Sequence, residues 1–139
     1  MAKVLTRSAT TKGGRTGRIE AKEGKLTLDM AKPLELGGSE NKETNPEEIF
    51  AAGYSACFAS SLEYLLENAK VDYDSIEVEC ALHLIMDAKG GGFKFDIDLY
   101  VTLDGPDEET KNTFIDKAYG FCPYSKAISG NVDVRIHRQ

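Results

Sequence analysis

The sequence has too little of several things to be many kinds of protein. Positive charge is in deficit: 17 Lys and Arg against 23 Asp and Glu leave a net charge of −6. No basic stripe with interleaved aromatics appears, so nucleic acid is not expected as a partner. The longest apolar runs fall far short of a bilayer span, so no membrane partner is expected either. The amino terminus reads Met1-Ala2-Lys3-Val4-Leu5-Thr6-Arg7 and turns polar at once. Without a signal-peptide pattern, a cytoplasmic location is the expectation. There is no Cys-x-x-Cys, and the two histidines, His83 and His137, have no ligand-like spacing to a thiol. Structural zinc is set aside and no metal is expected. Three cysteines in a reducing compartment do not form a disulfide framework, so each is weighed as core filler, metal ligand or reactive thiol. No repeat, low-complexity segment or linker is visible.

What remains is ample for one globular domain over residues 1–139, since 41% of the residues are hydrophobic and the chain is long enough to bury a core. The stretch Asn45 to Phe58 organises the rest. Asn45 is a good N-cap, Pro46 suits a first helical turn, and Glu48 sits where a capping-box acid reaches back. No proline lies between Pro46 and Lys70, so a helix is expected to run to about Lys70. Its first half carries Ala51, Ala52, Gly53, Ser55, Ala56 and Cys57, small residues that permit close approach. Gly53 costs about 1 kcal/mol relative to alanine in a helix, and close packing is the expected compensation.

Ahead of this helix, Lys3–Thr10, Arg18–Ala21 and Lys25–Met30 read as a small antiparallel meander with a turn at Gly13-Gly14-Arg15-Thr16-Gly17. Residues 31–44 read as an irregular connection. After the helix, Ile76, Val78, Cys80, Leu82 and Leu84 alternate with Glu77, Glu79, Ala81 and His83. Phe93, Phe95, Ile97, Leu99, Val101 and Leu103 do the same beyond Gly90-Gly91-Gly92, which together predict a hairpin. A second helix is expected from Asp104-Gly105-Pro106 to about Gly120, a short one over Pro123–Ser129, and a closing strand over Asn131–Ile136. The class is α+β.

Cys80 lies on the apolar face of its strand and reads as a small buried hydrophobe. Cys122 precedes Pro123 at a helix start, where free N–H groups can stabilise a thiolate; it equally suits a residue that merely caps a turn. Cys57 sits mid-helix among small residues and fits a packed core position as well as a reactive one. A Cys–His nucleophile finds little support, because His83 and His137 read as surface residues.

Asn45-Pro46-Glu47-Glu48-Ile49-Phe50-Ala51-Ala52-Gly53-Tyr54-Ser55-Ala56-Cys57-Phe58, Phe121-Cys122-Pro123-Tyr124-Ser125-Lys126-Ala127 and Gly130-Asn131-Val132-Asp133-Val134 closely resemble the organic hydroperoxide resistance branch of the OsmC-like superfamily. The similarity extends over nearly the whole chain, including Gly13-Gly14-Arg15-Thr16-Gly17-Arg18 and Leu36-Gly37-Gly38. It implies an OsmC-like fold, with antiparallel sheets wrapped around long central helices in an intertwined homodimer. It implies a peroxidase that reduces organic and fatty-acid hydroperoxides. Cys57 would be the peroxidatic thiol and Cys122 the resolving thiol, with Arg15 and Glu47 completing the site. No cofactor is implied beyond an external dithiol, dihydrolipoamide or a lipoylated protein.

The residue types suit that chemistry. A sulfenic acid on Cys57 needs a trap before irreversible oxidation, and Cys122 would supply it. Arg15 would favour the thiolate, held in a bidentate pair by Glu47. Without the resemblance, Arg15 reads as a solvated turn charge and Glu47 as a first-turn acid. Glu47 and Cys57 are ten positions apart, about 15 Å of helical rise, too far for both to touch one peroxide. Either Arg15 bridges the gap or a partner subunit contributes to each site, and the second is expected, in a homodimer whose two long helices cross near their small residues. Phe50, Tyr54, Phe58, Phe121 and Tyr124 flank the thiols and are candidates for an apolar substrate wall, although most of them also suit core positions. Ile128-Ser129 departs from the Thr-Arg that usually precedes Gly-Asn, which removes a cation near Cys122. Two other readings stay open: an OsmC-type peroxidase of broader peroxide range, and a non-catalytic lipid-binding or redox-sensing module.

Overall fold

The computed structural model describes residues 1–39 and 42–139. Its contacts divide the chain into two compact units, Met1–Ile49 and Phe50–Gln139.

In the first unit, β1 (Ala9–Lys12), β2 (Arg18–Ala21) and β3 (Thr27–Asp29) form an antiparallel sheet in the order β1-β2-β3. The first strand lies later than the expected Lys3–Thr10. The tight turn from Gly13 to Gly17 dictates this by pairing Lys12 with Arg18 and Ala9 with Ala21. Val4 and Leu5 stay outside the sheet and exposed. The glycine at 17 is required, because a Cβ there would lie 2.4 Å from the Lys12 carbonyl oxygen. Beyond β3, an isolated bridge joins Met30 to Thr44. Between them lies the expected irregular connection, with one 3-10 turn at Leu34–Leu36; positions 40 and 41 of that connection lie outside the described residues.

Helix α1 (Pro46–Asn68) starts as its sequence requires, with the Glu48 N–H donating to Asn45 Oδ1 at 2.8 Å. The Glu48 carboxylate accepts from Thr44 Oγ1 at 3.1 Å. The helix ends with Lys70 in the left-handed region at φ 55 and the Val71 N–H on the Leu66 carbonyl.

In the second unit, β4 (Ser75–Met86) and β5 (Phe93–Asp104) form the expected long hairpin, paired from Ser75–Asp104 to Met86–Phe93. Helix α2 (Glu108–Phe121) begins later than the glycine and proline suggested, because Asp107 is its cap and accepts from the Thr110 N–H at 2.8 Å. Helix α3 (Pro123–Ile128) comes directly after it, and β6 (Asp133–Arg138) closes the chain. The antiparallel expectation stops at this strand: β6 joins β5 in parallel, giving the order β4-β5-β6. The two helices between β5 and β6 supply the crossover that a parallel pair needs.

Tyr54, Phe58, Leu62 and Leu66, spaced four apart on α1, share one core cluster with Ile97, Leu99, Val101 and Leu103 of β5 and Phe114, Ile115 and Ala118 of α2. Each fully buried side chain of this size contributes roughly 1.5–3 kcal/mol. By length and composition α1 is apolar enough to cross a membrane, contrary to the reading of its short apolar runs. Tyr54, Phe58, Leu62 and Leu66 are instead wholly buried in this core, while Tyr64 is exposed.

Candidate active site

Cys122 is held by its backbone at a joint between two helices. Its N–H donates to the Ala118 carbonyl at 2.8 Å as the end of α2, and its carbonyl accepts from the Lys126 N–H at 3.0 Å as the start of α3. The following proline enforces the break, since a residue before proline is driven to extended backbone; Cys122 has φ −60 and ψ 123. The joint directs its side chain at α1. The Cys122 thiol is fully buried and lies 3.4 Å from Cys57 Sγ, which is only partly buried.

The Cys57 thiol is pushed above its ordinary value, first by burial. The Tyr124 backbone N–H opposes that shift at the sulfur, and the Cys122 thiol adds to it. Ser61 Oγ donates its one proton to the Cys57 carbonyl at 2.8 Å. From the 3.4 Å spacing the sulfurs need to close about 1.4 Å to reach the usual ~2.05 Å disulfide bond, once an oxidant takes up the two electrons and two protons the thiols give up.

Arg15 and Glu47 belong to the first unit. The Gly13–Gly17 turn presents Arg15, and the first turn of α1 presents Glu47. The guanidinium donates twice to the carboxylate, at 2.8 Å from Nη1 and 2.5 Å from Nη2. This fork holds the Glu47 carboxyl below its usual range and raises the guanidinium further. The side chains are 36% and 18% exposed, so water reaches the pair.

A family model described as OsmC-like protein matches residues 38–137. The chain belongs to the OsmC-like family. This OsmC-like chain is 39% identical over 133 residues to organic hydroperoxide resistance protein-like 2 of Staphylococcus epidermidis, covering 96% of this chain and 94% of that protein. It is 39% identical, again over 133 residues and 96% of both chains, to organic hydroperoxide resistance protein OhrB of Bacillus subtilis. The crystal structure of an organic hydroperoxide resistance protein from Legionella pneumophila matches with a TM-score of 0.94 at 37% identity over 99% of each chain.

In this OsmC-like chain the five aromatic candidates separate. Tyr54 and Phe58 are wholly buried, so in this chain they are core side chains and present no surface. Phe50 and Tyr124, with Pro123, Ala127 and Ile128, line an open apolar hollow of about 330 Å³. Phe121 faces elsewhere, stacked on Tyr64 at 5.4 Å with both rings exposed. The Ile128 that departs from the family pattern is thus one wall of the hollow. Gly53 accommodates a ring: a Cβ there would lie 2.6 Å from the Tyr124 hydroxyl. The close approach expected at the small residues is made there by an aromatic side chain.

Cys80, expected as a buried hydrophobe, is only partly buried and packs against the edge of the core; burial still pushes its thiol up to about 11. Among the described residues no group of three or more His, Cys, Asp or Glu side chains is arranged to hold a metal ion. Sequence reasoning missed the partners of both histidines. His83 and His137 each place Nε2 on the Asp98 carboxylate, at 3.1 and 2.7 Å. Arg135 spans Asp96 and Asp98 with four hydrogen bonds. Asp98 on the polar face of β5 thereby ties β4, β5 and β6 together. Period-two alternation marks that face as polar but does not say which of its charges meet.

Proposed function

We propose that this OsmC-like chain is a cysteine-based peroxidase that reduces organic hydroperoxides, alkyl and fatty-acid, to alcohols and so protects against oxidative stress. The observation that carries this reading is the 3.4 Å approach of the Cys57 and Cys122 sulfurs. The relatives named as organic hydroperoxide resistance proteins support it. The Cys57 thiolate attacks a peroxide oxygen and the O–O bond breaks. The alkoxide leaves and takes a proton to become the alcohol, while Cys57 keeps the other oxygen as sulfenic acid. The Cys122 thiol then forms the S–S bond and water departs. An external dithiol, dihydrolipoamide or a lipoylated protein, returns two electrons and two protons and becomes a disulfide itself.

The family resemblance assigns Arg15, paired with Glu47, the part of favouring the thiolate. The hollow lined by Phe50 and Tyr124 receives the alkyl chain. The working form is a single-domain chain in a cytoplasmic homodimer in which each site draws on both subunits; a stable monomer with full activity in sedimentation and turnover assays would remove the dimer from this reading.

The test adds one equivalent of an alkyl hydroperoxide to the reduced protein and maps the cysteines by mass spectrometry within seconds. The expected product is a Cys57–Cys122 disulfide that dihydrolipoamide reduces. Two thiols left reduced in a folded protein would overturn the peroxidase and favour a binding module. Equal rates with hydrogen peroxide would favour the broader OsmC-type activity.

A further inference from the structure

Tyr54 is a tyrosine with no exposed surface, and its hydroxyl meets the Ser125 hydroxyl at 2.8 Å, itself buried. Burial pushes the phenol up to about 12, so it stays protonated through the physiological range. The two residues are 71 positions apart and belong to α1 and α3. Tyr54 precedes Cys57 by one helical turn, and Ser125 lies three residues beyond Cys122. The same two segments therefore meet in successive contacts. The Tyr124 ring lies over Gly53 and stacks on the Tyr54 ring at 6.0 Å. The Tyr54 and Ser125 hydroxyls bond. One turn along α1, Cys57 meets the Cys122 thiol and the Tyr124 N–H. Ring stacking tolerates sliding and aliphatic packing sets distance loosely, whereas a buried hydroxyl pair has one good geometry and a steep cost for losing it.

We propose that the Tyr54–Ser125 hydrogen bond is the clamp that registers the first turn of α3 against α1 and so sets the Cys57–Cys122 spacing. Both are positioning residues for disulfide closure. The inference rests on the dithiol reading above and adds to it a device for speed. Once Cys57 is a sulfenic acid, condensation with Cys122 competes with a second peroxide that would carry Cys57 to sulfinic acid. Condensation forms one S–S bond and releases one water; the competing step transfers one further oxygen and releases an alcohol. A clamp that holds Cys122 in range favours the first outcome.

The test uses Tyr54→Phe, Ser125→Ala and the double variant, each full length, beside the unaltered protein. Reduced protein is titrated with cumene hydroperoxide, and mass spectrometry reads the ratio of Cys57 sulfinic acid to Cys57–Cys122 disulfide. This ratio does not depend on how fast Cys57 is first oxidised. In parallel the rate of Cys57–Cys122 disulfide formation is followed with diamide, which accepts two electrons and two protons from the thiols and becomes a hydrazine. Each single variant is expected to raise the ratio and slow the diamide reaction about tenfold, the size of effect expected from losing one buried hydrogen bond. The double variant is expected to be no worse than either single, because it leaves no orphaned hydroxyl. Variants that match the unaltered protein in both readouts, or a double variant showing the product of the two single effects, would overturn the clamp. If the unaltered protein closes with diamide and not with the peroxide while the variants close more slowly, the peroxidase reading falls and the clamp stands. Ser125→Ala removes a single atom and keeps the test open should Tyr54→Phe fail to fold.

Discussion

Replacing Gly53 by alanine sets two known effects against each other at one position. In a helix interior the change normally stabilises by about 0.8–1 kcal/mol, because glycine carries the larger conformational entropy into the unfolded state. Here the new methyl would stand 2.6 Å from the Tyr124 hydroxyl and 3.1 Å from two of its ring carbons. Contacts under 3.0 Å do not persist, so the Tyr124 ring must move, and with it the stack on Tyr54. Overpacking of this kind costs typically 1–3 kcal/mol, which leaves a net destabilisation of about 0–2 kcal/mol. An internal control isolates the steric part. Gly120, inside α2, has nothing within 4 Å of its would-be methyl, and Gly120→Ala is expected to stabilise by a few tenths to about 1 kcal/mol. Equilibrium urea unfolding of both variants reads the difference directly. Gly53→Ala as stabilising as Gly120→Ala would refute the argument that Gly53 exists to seat Tyr124.

Cys122→Ser removes the trap, so repeated peroxide addition is expected to drive Cys57 to sulfinic acid, a mass gain of about 32 Da with no intramolecular disulfide. Glu47→Gln is expected to cost only about 0.5–1 kcal/mol of stability, because the pair is partly exposed, but to lower peroxide turnover. In the unaltered protein the Glu47 carboxyl lies below its ordinary 4.5, so the pair's contribution is full above that pH and fades as pH falls through the lower folded value. Glu47→Gln abolishes that acid-side change, as urea unfolding at several pH values will read. Asp98 is held well below the usual carboxylate range, first by Arg135 and then by His137. Its contribution is therefore also present above about pH 4 and lost in stronger acid, and Asp98→Asn is expected to flatten the acid limb of the stability curve. Burial raises the Cys57 thiol above its ordinary value, so the rate of Cys57 oxidation is expected to climb as pH rises through that raised value; a rate that does not change with pH would count against attack by the thiolate.

Where local chemistry decides structure, the chain could be read directly. The Asn45 cap, the alternation of Phe93 to Leu103 and the proline after Cys122 each act on neighbours within a few residues, and each appears in the structure. The displaced elements answer to something non-local or less conspicuous. β1 takes its place from the register of the Gly13–Gly17 turn. The parallel direction of β6 results from a crossover through two helices, which strand periodicity cannot report. The same holds at the site. The residue types of the thiol pair were legible through the family resemblance, whereas the Tyr54–Ser125 contact and the Asp98 hub join residues 71 and up to 39 positions apart. No spacing rule spans such separations.

The helix joint at Cys122 also constrains how oxidation is felt. Both its N–H and its carbonyl are engaged, one in each helix, so its peptide cannot swing toward Cys57 without giving up a hydrogen bond. Rotation about the Cα–Cβ bonds is the economical way for the sulfurs to cover the remaining distance. Any shortfall would be taken up at the joint itself. Amide exchange at residues 118–126 would then differ between the dithiol and disulfide forms.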